Sequence, residues 1–217
     1  MPTFARPEVS IGLPQALPLS EPKWSVLYET DFRCLSDVRM FKVSVLQVGG
    51  TWKWIGGLSY PLKSGSQTAG VYEISYAVFP CMVKYARFFM RAKPVNNDPS
   101  VLNYLELDYA WRDINNFRRA VLTLTVASNN FTIGKRVAGT WVSLATGTTP
   151  WGATPLGTEL EFSGYTDGSV HTFIVKRLDT GASLTLSASD VTEGGYVAMG
   201  NVRNYDARFD HFRVERL

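Results

Sequence analysis

The sequence predicts an all-β protein, a two-sheet antiparallel sandwich over residues 24–217 preceded by an extended N-terminal arm over residues 1–23. Three observations carry this. From Trp24 onward apolar and polar residues alternate with period two, the spacing at which successive side chains leave a strand on opposite faces. Turn signals break the alternation at short intervals, and no stretch has convincing helical spacing. Before Trp24 stand five of the eleven prolines, Pro2, Pro7, Pro14, Pro18 and Pro22.

Proline fixes φ and removes an amide donor, so the arm is neither a helix nor a central strand. Its apolar residues Phe4, Val9, Ile11, Leu13, Leu17 and Leu19 recur between the prolines. A solvated linker would be richer in Ser, Gly and charge. The arm is therefore expected to lie on another surface, its own domain's or a neighbour's, through these six side chains.

The strands follow in order. Phe41 to Val45 alternates and Gly49-Gly50 turns; Trp52-Lys53-Trp54 alternates, which places both indoles on one face, read as core packing. Val71 to Tyr76 and Met82 to Ala92 come next. Leu102 to Trp111 and Ala120 to Val126 flank an Asn-rich turn, and GKRVAGT joins Phe131-Thr132-Ile133 to Trp141–Leu144. Leu178-Asp179-Thr180-Gly181 is a hairpin turn between Thr172–Arg177 and Ser183–Leu186, and Tyr196–Asn201 and Phe209–Val214 close the chain. Short strands at this spacing pack as two sheets, each burying one face.

Composition narrows the function classes. Apolar residues make up 45% and charged residues 19%, enough for a core. The net charge is +3, and the basic runs are no longer than Arg118-Arg119 and Lys135-Arg136, which read as solvated hairpin charges. Nucleic acid is not an expected partner. No apolar run approaches the ~20 residues that span a bilayer. Cys34 and Cys81 match no zinc or redox spacing, and the N-terminus has no secretory h-region. Synthesis in a reducing cytoplasm with free thiols is expected.

Three stretches resemble a concanavalin A-like (laminin G-like) jelly-roll domain. They are YAWRDINNFRRAVLTL, FTIGKRVAGTWVSLATG with Gly139 leading into Trp141, and VTEGGYVAMGNVRNYDARFDHFRVERL with Phe209-Asp210-x-Phe212 in the closing strand. The resemblance covers residues 100–217 well and residues 24–99 by strand pattern. It implies a jelly roll, a fold shared by lectins, glycosidases, lyases, adhesion modules and viral coat parts, so the site must decide the function.

Glu106 and Asp108 alternate on one strand and share a face, with a rise of ~6.7 Å between them. That reach suits the carboxyl pairs of glycosidases. The jelly-roll glycosidases carry a third acid, as E-x-D-x-E or E-x-D-x-x-E, and the corresponding positions here are Ala110 and Trp111. With Leu105, Leu107 and Tyr109 directed at the core, the two acids fall on the outer or concave face and are read as solvated or ion-paired there. His171 and His211 stand in no recognisable constellation and are read as surface or half-buried. Trp151, in the loop GTTPWGATPLG, and Tyr165 and Asp167, in the turn SGYTDGS, are the candidate ligand-binding residues. The resemblance further implies the option of a structural calcium tying the chain ends together, with Asp210 in the last strand and Asp31 near the first as its ligands. Otherwise no cofactor is expected.

The resulting expectation is a non-enzymatic component of a larger assembly, specifically of a bacteriophage virion: a capsid decoration, head-fibre or tail protein. It would be oligomeric in place, docked to other capsid or tail subunits by residues 1–23 and displaying a lectin-like sandwich that contacts glycan. The alternatives are a polysaccharide-active glycosidase or lyase and a free carbohydrate-binding module.

Overall fold

A computed structural model describes residues 24–32, 42–45, 53–54, 58–60, 74–97, 103–125, 128–202 and 205–217. The arm, with Phe4, Val9, Ile11, Leu13, Leu17 and Leu19, lies outside the described residues, as do Cys34 and Trp52.

Among the described residues the alternating stretches are strands. In chain order the strands are β1 (Ser25–Thr30), β2 (Lys42–Val45), β3 (Lys53–Trp54), β4 (Leu58–Tyr60), β5 (Ile74–Val83), β6 (Ala86–Asn97), β7 (Asn103–Asp113) and β8 (Asn116–Leu124). They continue with β9 (Asn130–Val137), β10 (Thr140–Thr148), β11 (Leu160–Thr166), β12 (Val170–Arg177), β13 (Ser183–Ser189), β14 (Gly195–Val202) and β15 (Tyr205–Arg216). One sheet runs β13-β12-β11-β6-β15-β4-β3, with β1 also paired to β15; the other runs β10-β9-β8-β7-β14-β5-β2. Among the described residues the strand ladders are antiparallel, as expected.

The two sheets close on one core. Phe88 and Met90 of β6, Phe162 of β11, Phe173 of β12 and Phe209 and Phe212 of β15 face Leu105, Leu107 and Tyr109 of β7, Leu122 of β8 and Phe131 and Ile133 of β9, all buried. Removing one such ring costs about 3–5 kcal/mol through lost burial and the cavity left behind. Close packing explains Gly164: a β-carbon there would stand 2.4 Å from Cδ1 of Phe173.

The turns follow the expected chemistry. Gly181 adopts φ 73°, and its amide donates to the Arg177 carbonyl at 2.9 Å, closing the β12–β13 hairpin. At one pole of the sandwich three connections lock together: the Thr192 amide donates to the Gly168 carbonyl at 2.8 Å, Asp190 to Ser169 at 2.8 Å, and Leu217 to Tyr85 at 3.4 Å. Trp24 reaches the same pole, its ring 4.4 Å from the Arg87 guanidinium.

Candidate functional site

The outer face of the second sheet can be read row by row from the ladder registers. Glu106 pairs with Val121, Val121 with Thr132 and Thr132 with Thr146. One row on, Asp108 pairs with Arg119, Arg119 with Gly134 and Gly134 with Ser143. Partners directly opposite share a face, so acids, arginine and hydroxyls line one surface.

Arg119 governs that surface. Its Nη1 donates to Glu106 Oε1 at 2.5 Å, and its Nε lies 3.3 Å from Asp108 Oδ1. Its guanidinium stands 4.3 Å from the Phe117 ring and 5.2 Å from the Trp141 ring, a cation held between two aromatic faces. Trp141 reaches it because position 134 has no side chain. A β-carbon on Gly134 would fall 2.3 and 2.4 Å from Cζ2 and Cη2 of the indole.

Both acids are buried completely, although the strand pattern led us to expect a solvated or ion-paired face. The ion pairing is present and the solvation is not. Glu106 Oε2 and both Asp108 oxygens accept no hydrogen bond among the described residues. Burial raises the Glu106 carboxyl above its ordinary value, against the pull of Arg119 and Arg136. Burial also holds Asp108 well above its ordinary value; Arg119 opposes this, and the neighbouring Glu106 charge adds to it.

A bulge completes the site. Ala110 adopts φ 51°, and the registers of β7 with β8 and with β14 both shift beside it. The extra residue turns Trp111 to the same outer face, where it stacks on Phe117 at 4.9 Å and 14° and packs with Val78 and Ala198. The third-acid position of the glycosidase pattern is thus built into the backbone and filled by an indole.

Beside these groups runs a groove of about 320 Å³ lined by Tyr104, Arg119, Val121, Thr123, Thr132, Trp141 and Ser143. A second lobe of about 200 Å³ reaches Glu106, Phe117, Arg136 and Gly139. Two hydroxyls lining the larger groove, those of Thr132 and Ser143, both bond to Thr146, at 3.1 and 2.9 Å. An exposed indole beside a hydroxyl-rich floor is chemistry suited to a sugar ring.

The residues singled out from sequence lie elsewhere. Trp151 is half-buried against the core, and its indole nitrogen donates to Thr154 Oγ1 at 3.2 Å. Tyr165 is exposed at the far end of β11. Asp167 Oδ1 accepts from the Ser169 and Val170 amides at 2.9 and 2.6 Å, the carboxylate closing its own turn.

Asp31 and Asp210 take cationic or hydrogen-bonding partners of this chain. His211 Nδ1 and Asp31 Oδ1 are 2.8 Å apart, while Asp210 receives Lys93 at 3.0 Å and Arg208 at 2.8 Å. Among the described residues no group of three or more His, Cys, Asp or Glu could hold a metal ion.

The basic pairs expected to be solvated are divided by strand alternation. Arg119 and Arg136 face the groove, whereas Arg118 and Lys135 both reach Asp190, at 2.7 Å each. His171, expected at the surface or half-buried, is fully buried, with Nδ1 2.8 Å from Thr166 Oγ1 and Nε2 2.6 Å from the Asp190 carbonyl. Cys81 carries a free thiol, and no helix among the described residues is long and apolar enough to cross a membrane.

Sequence alone placed Glu106 and Asp108 on this face but did not single out Arg119 or Trp141 beside them. The available signal was Gly134, a glycine inside a strand, which marks close approach of another group.

Comparison with known proteins shows the fold. No family model matches the chain, and no curated protein matches it. Among solved structures, the CBM2 module of the evolved Dit of Lactobacillus casei BL23 phage J-1 is similar at 14% identity and TM-score 0.63, over 89% of this chain and 96% of that one. Carbohydrate-binding module CBM66 from Bacillus subtilis is similar at 14% identity and TM-score 0.58, over 79% and 93%. The catalytic domain of an endo-1,3-β-glucanase (laminarinase) from Thermotoga petrophila RKU-1 is similar at 10% identity and TM-score 0.57, over 89% and 98%. The chain therefore has the concanavalin A-like jelly-roll sandwich fold.

Proposed function

We propose that this protein is a non-enzymatic, glycan-contacting component of a larger assembly, a bacteriophage virion protein that docks through residues 1–23 and presents the groove beside Trp141. The observation that carries the reading is Arg119 lying on the acid pair. A catalytic carboxyl must reach the reacting oxygen or carbon. Here both carboxyls are buried, Arg119 engages both, and the bulge that would present a third acid presents Trp111. What remains open to a ligand is the Trp141 face and the hydroxyl row.

The likeness to a module of a phage Dit protein and to a carbohydrate-binding module supports this reading, and the virion assignment rests additionally on the apolar, proline-punctuated leader. The rival is a glycosidase. The shared face of Glu106 and Asp108 and the likeness to a laminarinase favour it.

One experiment separates them. The chain and its Trp141→Ala variant are titrated with a panel of bacterial, plant and algal polysaccharides, and new reducing ends are assayed in parallel. Saturable binding that Trp141→Ala abolishes, with no reducing ends released, is the expected result. Turnover that disappears in Glu106→Gln would replace this reading with the enzyme.

A further inference from the structure

Charge on the groove is not balanced within the chain. The ladder registers put Arg136 of β9 in one row with Phe117 of β8 and Trp141 of β10. Its Nε donates to the Gly139 carbonyl at 3.0 Å, which holds the guanidinium against its own hairpin. The two arginines beside it each have acids: Arg118 pairs with Asp190, and Arg119 with Glu106 and Asp108. Arg136 lines the same groove and pairs with no carboxylate among the described residues.

The neighbouring acids are already engaged. Glu106 and Asp108 are wholly buried under Arg119, and burial further favours the uncharged form of Asp108. Asp113, in the β7–β8 turn, accepts from the Asn115 amide at 2.7 Å and from Asn116 Nδ2 at 3.0 Å. The β10 residues that line the groove, Trp141 and Ser143, carry no charge. A ligand in the groove therefore meets two guanidinium groups and no exposed carboxylate among the lining residues.

The cation stands where a bound sugar would carry a substituent. Trp141 is 42% exposed, with Arg119 over its ring at 5.2 Å. Residues opposite one another on a sheet have β-carbons about 4.5–5.5 Å apart. A sugar stacked on the indole thus brings an acidic group one bond off its ring within reach of Arg136. With Nε committed to Gly139, the two Nη groups still form a fork that matches a pair of anionic oxygens. Sugars further along the groove would meet the hydroxyls of Thr123, Thr132 and Ser143.

We propose that the groove takes an acidic polysaccharide, its sugars carrying carboxylate or sulfate ester, with one charged group seated on Arg136 and the sugar ring on Trp141. This rests on the reading of the groove as a glycan site and names the class of glycan.

The test uses the full chain and two matched pairs of probes: polygalacturonate with its carboxyl-reduced form, and dextran sulfate with dextran. Titration calorimetry should show a charged member binding roughly tenfold or more tighter than its uncharged counterpart. Arg136→Gln should remove that preference, and Trp141→Ala should remove binding of the charged probe. Lys176→Gln, which deletes an exposed cation of β12 in the other sheet, should bind as wild type. Preference for polygalacturonate assigns a carboxylate, and preference for dextran sulfate a sulfate ester. Equal affinity within both pairs, or binding confined to neutral polysaccharides, would overturn the proposal and leave a glycan-binding protein. This comparison needs no substitution, so it decides whether or not the variants fold. Charged-probe affinity that survives Arg136→Gln would also overturn it. So would affinity that survives Trp141→Ala, the mark of a polyanion adsorbed diffusely to a cationic chain. A chain that binds no polysaccharide at all would remove both this inference and the glycan site it rests on.

Discussion

The indole of Trp141 occupies the space in which a side chain at position 134 would sit, a β-carbon on Gly134 falling 2.3 Å from Cζ2. The glycine is thus what lets the ring lie over Arg119. Gly134→Ala should push the indole off the guanidinium and press on the Val142 carbonyl, 2.9 Å from the added carbon. We expect a stability loss of about 1–3 kcal/mol from overpacking, together with loss of glycan binding. Chemical denaturation and a glycan titration check the two halves. A variant that binds as wild type would separate the groove from Trp141.

Removing Arg119 should be the more damaging change. Arg119→Met removes the cation that engages both buried carboxyls, and breaking such a pair costs about 3–5 kcal/mol. Asp108→Asn should be close to neutral, because burial already favours the uncharged form of Asp108. Urea unfolding of both variants at neutral pH checks the order, which is the content of the prediction.

The acid pair also sets a pH window. Its folded-state carboxyls sit above the ordinary values of 4.5 for Glu106 and 3.8 for Asp108. The native state binds protons first as pH falls, so the pair's contribution to stability is present at low pH and is lost as pH rises through the folded values. Midpoints measured between pH 4 and pH 7, on the ordinary carboxylate scale, should therefore show a smaller loss on going to neutral pH in Asp108→Asn than in wild type. Parallel curves would argue against buried, protonating acids.

His171 acts in the opposite sense. Burial lowers its folded value below 6.5, so the unfolded chain takes up the proton first and stability falls as pH drops through and below 6.5. His171→Gln should flatten that slope. Urea midpoints of wild type and variant across the histidine titration range check it, and parallel slopes would argue against a buried, neutral His171.

Trp151 offers a local test. Its ring packs on the core and its nitrogen is used by Thr154, which also accepts from the buried Asn129 at 2.5 Å. Trp151→Ala should cost about 2–4 kcal/mol as a large-to-small change and leave the affinity for glycan unaltered. Loss of affinity at intact stability would return Trp151 to the ligand site.

How much of this was legible follows from which physics is local. Strand alternation is local, so Leu105, Leu107 and Tyr109 could be assigned to the core and Glu106 and Asp108 to the other face. The fate of those acids was not local: it depends on Arg119 from the next strand and Trp141 from two strands further, brought in by register. Arg118-Arg119 read as one basic pair because sequence adjacency hides that neighbours on a strand point apart. The bulge at Ala110 left no signature, since alanine is an unusual choice for a left-handed backbone. Asp167 was singled out from sequence, and its carboxylate accepts from the amides of its own turn; the same short side chain serves ligands and amides equally, so sequence does not separate the two uses.

The pairing of Ser25 with Arg216 bears on how the body responds to load. Tension applied between the two chain ends would peel β1 from β15 one rung at a time, starting at the outermost pair, the direction in which a ladder resists least. Tension entering through the leader alone and leaving through something gripped on the far sheet follows a different path: it must shear many rungs together. On the function proposed above, a body held by its leader and gripping through the Trp141 face would meet pull in its tougher direction.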